Sequence, residues 1–176
     1  TVTEGDMATL AGITESGNAL TVTVTDTSVA ADALNTLDGL TTVAVDLSSA
    51  TTVTGSVSDI DTAYSSDGLS GLGDEAITVD SGTASVAEVN DLADLTTGTL
   101  TATVTEGDMA TLAGITESGN VLTVTVTDTS VAADALNTLD GATSAVVTVT
   151  DVTTITGSYL DCLLYTSPSP RDLRAS

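Results

Sequence analysis

From Leu20 to Asp26 hydrophobic and polar residues alternate without a break, Leu20, Val22 and Val24 falling on one side and Thr21, Thr23 and Thr25 on the other. A period of two is that of a strand with one buried face. The pattern predicts a strand over 20–26 with a Val/Leu inner face and a Thr outer face. The same reading predicts strands at 42–46 (TVAVD), 76–80 (AITVD) and 100–106 (LTATVTE), with TVTE at 1–4 an earlier copy of the last. Between the strands the spacing changes. Val29, Ala30, Ala33, Leu34 and Leu37 form one stripe of a helix, which Thr27 or Ser28 can cap and Gly39 can end. Equivalent stripes cover 86–95 and, less regularly, 57–64.

Residues 1–39 return at 103–141 with one change, Ala19 becoming Val121, and the alignment continues from 50–56 into 152–158. The chain therefore divides into a first period, 1–102, and a partial second, 103–161. A shorter repeat lies inside it: LNTLDGLTT (34–42), VNDLADLTT (89–97) and MATLAGIT (7–14) share one grammar. The acids that close the strands, Glu4, Asp26, Asp46, Asp80 and Glu106, mark four strand-plus-helix units per period. Such a unit is too short to cover its own apolar face, so neighbours must stack on it. The expected fold is α/β: a repeat solenoid of strand and short-helix units with a parallel sheet. The run Leu34, Leu37, Leu40, Val43, Val45 resembles leucine-rich repeats in the way it leads into the strand. No Asn stands at the ladder position after the strand, so the resemblance extends to geometry alone. An all-β sandwich array is the alternative, and three helical stripes in one period weigh against it.

Composition changes the picture at the C-terminus. Arg171, Arg174, Pro168, Pro170 and Cys162 are the only residues of their kinds, and all lie in the last fifteen positions. The run from Cys162 to Asp172 resembles a translated sequencing adapter, so residues 162–176 are set aside as a non-native tail. What precedes them has no Lys, Arg, His, Cys or Pro, within a chain whose net charge is -23. A surface of one sign repels nucleic acid and anionic lipid, leaving cations, a surface of other chemistry and neighbouring repeats of the same chain as partners. With 41% hydrophobic residues and a mean hydropathy of +0.33 the chain is too apolar for disorder. Its core must be thin, because Tyr64 and Tyr159 are the only aromatics before the tail. No apolar run approaches the roughly 18 residues of a spanning helix, and no leader precedes Thr1, so export or anchoring signals are expected outside this sequence.

Without His, Lys or Cys the usual bases and nucleophiles are missing, and no enzyme is expected. Calcium is the one cofactor the composition admits, since hard cations take carboxylate and carbonyl oxygens from flexible loops. Asp59 and Asp61, with Asp67, Asp74 and Glu75 in SSDGLSGLGDEA, are the candidate ligands. No stretch matches a twelve-residue EF-hand loop. The strand-end acids have a simpler use, accepting main-chain hydrogen bonds at the turn into the following helix. The Thr faces at 21, 23, 25 and at 101, 103, 105 resemble the ice-binding faces of some bacterial adhesins, though Asp46 and Asp80 interrupt the rows. In its Thr/Asp-rich phrasing, VTDTSVAADALNTLDG and TTVTGSVSDIDTAYSS, the chain is similar to the tandem repeats of very large secreted or cell-surface proteins of marine bacteria. That resemblance implies an extracellular or cell-surface place and an adhesin-like or matrix role. The expected function is a structural or adhesive repeat segment, with a calcium-dependent binding module as the alternative and an ice-binding face as a minor one.

Overall fold

Each strand pairs with chain that comes round again about 20 to 24 residues later, and among the described residues every pairing is parallel. The computed structural model describes residues 1–166. A short helix α1 (Met7–Leu10) is followed by β1 (Ser28–Ala30) and α2 (Ala31–Asp38), then by β2 (Val45–Asp46), β3 (Thr52–Gly55) and α3 (Val57–Tyr64). Next come β4 (Leu69–Ser70), β5 (Ala76–Val79), α4 (Val86–Asp94) and β6 (Leu100–Thr103). The second copy supplies α5 (Met109–Leu112), β7 (Val121–Thr123), β8 (Ser130–Ala132), α6 (Ala133–Ala142), β9 (Thr154–Thr156) and α7 (Tyr159–Thr166).

The class is α/β with a parallel sheet, and the sandwich alternative does not fit. Five strands run in the order β1-β3-β5-β6-β7, while β2-β4 and β8-β9 form two-stranded sheets. Register places Val29 beside Val53, Val53 beside Ile77, and Ile77 beside Leu100. All four are buried and form one apolar row across the sheet. From the helices, Leu34 and Leu37 of α2, Ile60 and Ala63 of α3, and Val89 and Leu92 of α4 close over that row. As the composition requires, the core is Val, Leu, Ile and Ala.

Besides the strand expected at 1–4, which does not form, three expectations need correction. The segment 20–26 keeps its alternation, with Val22 and Val24 buried and the three threonines exposed, but it is not one long strand. It is held by isolated bridges, Asn18 to Thr41 and Thr23 to Asp46. Its neighbours are too short to continue the ladder: β2 has two residues, and Gly5 offers a single carbonyl to Thr25. Second, Ser28, Val29 and Ala30 belong to a strand and not to the helix. The β-branched Val29 pairs with Val53, and α2 begins at Ala31 with Ala30 as an N-cap that has no side-chain bond. Val29 fits the helical stripe only because strand and helix turn toward the same core. Third, the turns that begin near residues 43 and 67 each carry two short strands, so Thr52–Gly55 and Leu69–Ser70 were not foreseen. The helices over 57–64 and 86–95 are where they were expected, α4 ending at Asp94 with Leu95 as its cap.

The second copy reproduces the first 102 positions on: α5 repeats α1, β8 and α6 repeat β1 and α2, and β9 repeats β3. One difference is instructive. Val53 is fully buried under β5, whereas its counterpart Ile155 is 38% exposed, because no described strand follows β9. Stacking of the next turn is what buries this position. Helix α7 carries the chain into the tail as far as Thr166, and residues 167–176 lie outside the described residues.

The row makes a direct prediction. Ile77→Ala should cost about 2–5 kcal/mol in denaturant unfolding, as truncation of a fully buried Ile does, while Thr78→Ala on the outer face stays within about 0.5 kcal/mol. Equal costs would mean that this row is not the core.

Candidate functional site

Where the chain has polar chemistry, about half of its side-chain hydrogen bonds tie segments that are far apart in sequence and adjacent in the fold. The Asp26 carboxylate accepts a hydrogen bond from the Met7 N–H at 2.7 Å, and Asp128 does the same for Met109 at 2.7 Å. Glu106 accepts from the Val86 N–H at 3.0 Å. These are strand-end acids satisfying the free amides of a helix N-terminus. The helix they serve lies in the preceding turn, whereas the sequence reading assigned them to the following one. Asp46 accepts locally, from the Ser48 N–H at 3.0 Å, but in a turn that leads into β3 and not into a helix. Hydroxyls and amides add to the ties. Thr41 Oγ donates to the Leu20 carbonyl and accepts from the Leu20 N–H, Thr51 Oγ donates to the Thr27 carbonyl, and Asn35 Nδ2 donates to the Asp59 carbonyl.

The calcium candidates do not converge. Asp59 is taken up in the cap of α3, accepting from Ser56 Oγ. Asp61 is exposed on α3, where it lines a groove with Glu88 and Asp91 of α4. Asp67 and Asp74 are exposed in the loop between α3 and β5. Glu75 is the exception, 1% exposed. Its Oε2 accepts from the Tyr64 hydroxyl at 2.9 Å and from the Gly73 N–H at 2.8 Å. Its Oε1 is buried with no hydrogen-bond partner. Burial, the hydrogen bond to Glu75 and the charges of Glu75 and Asp74 together push the Tyr64 phenol well above its ordinary range. Thr96 Oγ donates to the Glu75 carbonyl at 2.6 Å, and Gly98 lies so close that a Cβ there would collide with the Glu75 main chain. The carboxylate is therefore held by Tyr64 and Gly73, and the main chain of Glu75 by Thr96 and Gly98. Among the described residues no three acidic, His or Cys side chains come together in a way that would hold a metal ion.

Outside the helices the threonines fall into ranks. Thr54, Thr78 and Thr101 lie side by side on adjacent strands, flanked by Ala30 and Val121. Of the threonines read from sequence as a face, 21, 23, 25, 101, 103 and 105, only Thr101 belongs to this rank. Thr23 of the expected face neighbours Asp46, and the charge breaks that face. Beside the short helices an apolar groove, lined by Met7, Leu10, Ile13 and Leu37, returns a period later at Met109, Leu112, Ile115 and Leu139. No helix among the described residues is long and apolar enough to cross a membrane.

Caps built on a hydroxyl and a carboxylate three residues apart were legible but overlooked. Ser85 and Glu88 form a reciprocal capping box on α4, and Asp6 caps α1 through the Thr9 N–H. The signal was the Ser-x-x-Glu spacing before an apolar run. Compared with known protein families, with curated proteins and with solved structures, the chain matches none of them.

The caps set a pH dependence. Donation from the Ser85 N–H and hydroxyl holds Glu88 below its ordinary 4.5, and bonds with Thr9, Ser48 and Thr111 hold Asp6, Asp46 and Asp108 below 3.8. A depressed carboxyl contributes stability above its unfolded pKa and loses it as pH falls through the folded value. The melting-temperature gap between wild type and Glu88→Ala should accordingly be full at neutral pH and narrow below about pH 4. A gap independent of pH would show that the charge of Glu88 contributes nothing.

Proposed function

We propose that this chain is a segment of a solenoid array in which each turn supplies strand and helix, and that its function is structural or adhesive and not catalytic. It would space or attach something as part of a large extracellular or cell-surface protein. The observation that carries the reading is the run of parallel pairing from β1 to β7, with the same elements returning 102 positions later. Four helices, α1 to α4, precede the return at α5, so a period corresponds to four turns. Neighbouring strands stand about 4.8 Å apart, so each period would lengthen a rod by about 19 Å with no change of cross-section. Near-identity of the copies suits a molecule whose task depends on length. The negative charge suits a solvated spacer that does not collapse on nucleic acid, on anionic lipid or on its own copies.

A calcium-dependent binding module is the second reading, favoured by the unsatisfied carboxylate oxygen of Glu75. An ice-binding face has less support: its longest in-register Thr rank is the three residues Thr54, Thr78 and Thr101, and its flanks are Ala30 and Val121.

Arrays of one, three and five periods tethered by one end to a flat support test the spacer directly. Reflectometry should give a layer that thickens by up to about 19 Å per period, in proportion to the number of periods. A thickness that does not depend on that number would contradict the spacer reading.

A further inference from the structure

A buried carboxylate with an unmet oxygen is costly unless something supplies the missing charge or hydrogen bond. Glu75 Oε1 is such an atom. Both donors that reach the side chain, Tyr64 Oη and Gly73 N, go to the other oxygen. Among the described residues there is no cationic side chain to send to it. The chain contains no Lys and no His, and its two arginines, Arg171 and Arg174, lie outside the described residues. The adjacent Asp74 adds a second negative charge that is felt at the same phenol. Nothing among the described residues balances Glu75, and a cation from solvent can.

We propose that the buried, unmet Oε1 of Glu75, with main-chain carbonyl oxygens of the adjoining loop and water, binds one small hard cation, calcium above all. The inference does not depend on the spacer reading. Hard cations are held by carboxylate and carbonyl oxygens and keep water where protein ligands are few. No group of three acidic side chains surrounds Glu75 among the described residues, so the site belongs to the weak class found in extracellular modules, with a Kd of about 10⁻⁴–10⁻³ M. Its effect is local and structural. The Glu75 main chain is gripped by Thr96 and lies against Gly98, and its side chain holds Tyr64 at the end of α3. Filling the site would fasten three successive turns at one point.

Terbium is the probe, because it replaces calcium and emits when an adjacent tyrosine is excited. The full chain should show tyrosine-sensitised terbium emission that calcium displaces, and its melting temperature should rise in calcium beyond the rise in sodium chloride of equal ionic strength. Glu75→Gln, which keeps the shape and one acceptor oxygen, should abolish both effects, whereas Asp91→Asn should leave both intact. Tyr64→Phe should reduce the emission yet retain the calcium-dependent gain in melting temperature, a readout that stands even if Glu75→Gln fails to fold. The proposal is overturned if Glu75→Gln responds to calcium as wild type does, or if wild type gains nothing beyond ionic strength. A Glu75→Gln chain more stable than wild type in chelator, with neither responding to calcium, would overturn it too and assign the role to a proton.

Discussion

Parallel main-chain pairing between turns about 20 to 24 residues apart is the constraint on which the rest of the structure depends. Among the described residues no strand exceeds four residues, and none could stand by itself. What makes them strands is the register, which lays Val29, Val53, Ile77 and Leu100 in one buried row. Register also decides where polar groups can be useful. An Asp at the end of one strand segment lies beside the helix start of the turn before it, and a Thr after a helix lies beside the carbonyl of the preceding turn. The exposure of Ile155, which pairs with Val131 on one side and has no described strand on the other, follows the same spacing.

Electrostatics works against this architecture, and the way the chain accommodates it is distinctive. With 25 acids, two arginines in the tail and no other basic side chain, ion pairs cannot share the load. The carboxylates that take part in structure instead accept from backbone N–H groups and hydroxyls: Asp6, Glu88 and Asp108 at caps, and Asp26, Glu106 and Asp128 between turns. Such charge-assisted hydrogen bonds are stronger than neutral ones and need no cation. Most other acids face water, where mutual repulsion keeps copies apart and added salt screens it. Glu75 departs from both patterns, since it is buried and only half satisfied.

Much of the fold was legible because apolar residues in this chain mark a single core. Val22, Val24, Leu34 and Leu37 were all placed inward by their spacing, and all are buried. The strand at 28–30 was hidden by geometry: Val29 points at the same core as the helix after it, so one apolar stripe covers two kinds of structure. Strands of two to four residues, such as Leu69–Ser70, are too short for alternation to be counted. Of the acidic candidates, sequence could select residues among glycines and serines, but not which one is enclosed. Glu75 and Asp74 are neighbours in a loop and differ only in which side of a strand start they occupy. That depends on register with Thr96 and Gly98, more than twenty positions away.

The most direct test is equilibrium unfolding of chains with one, two and three 102-residue periods, cut at the same point of the repeat. Turns that hold each other through their pairing should unfold at midpoints that rise with the number of periods, because each added interface contributes a nearest-neighbour term. A midpoint that stays the same at every length would mean that the periods fold as independent beads, and would contradict the account.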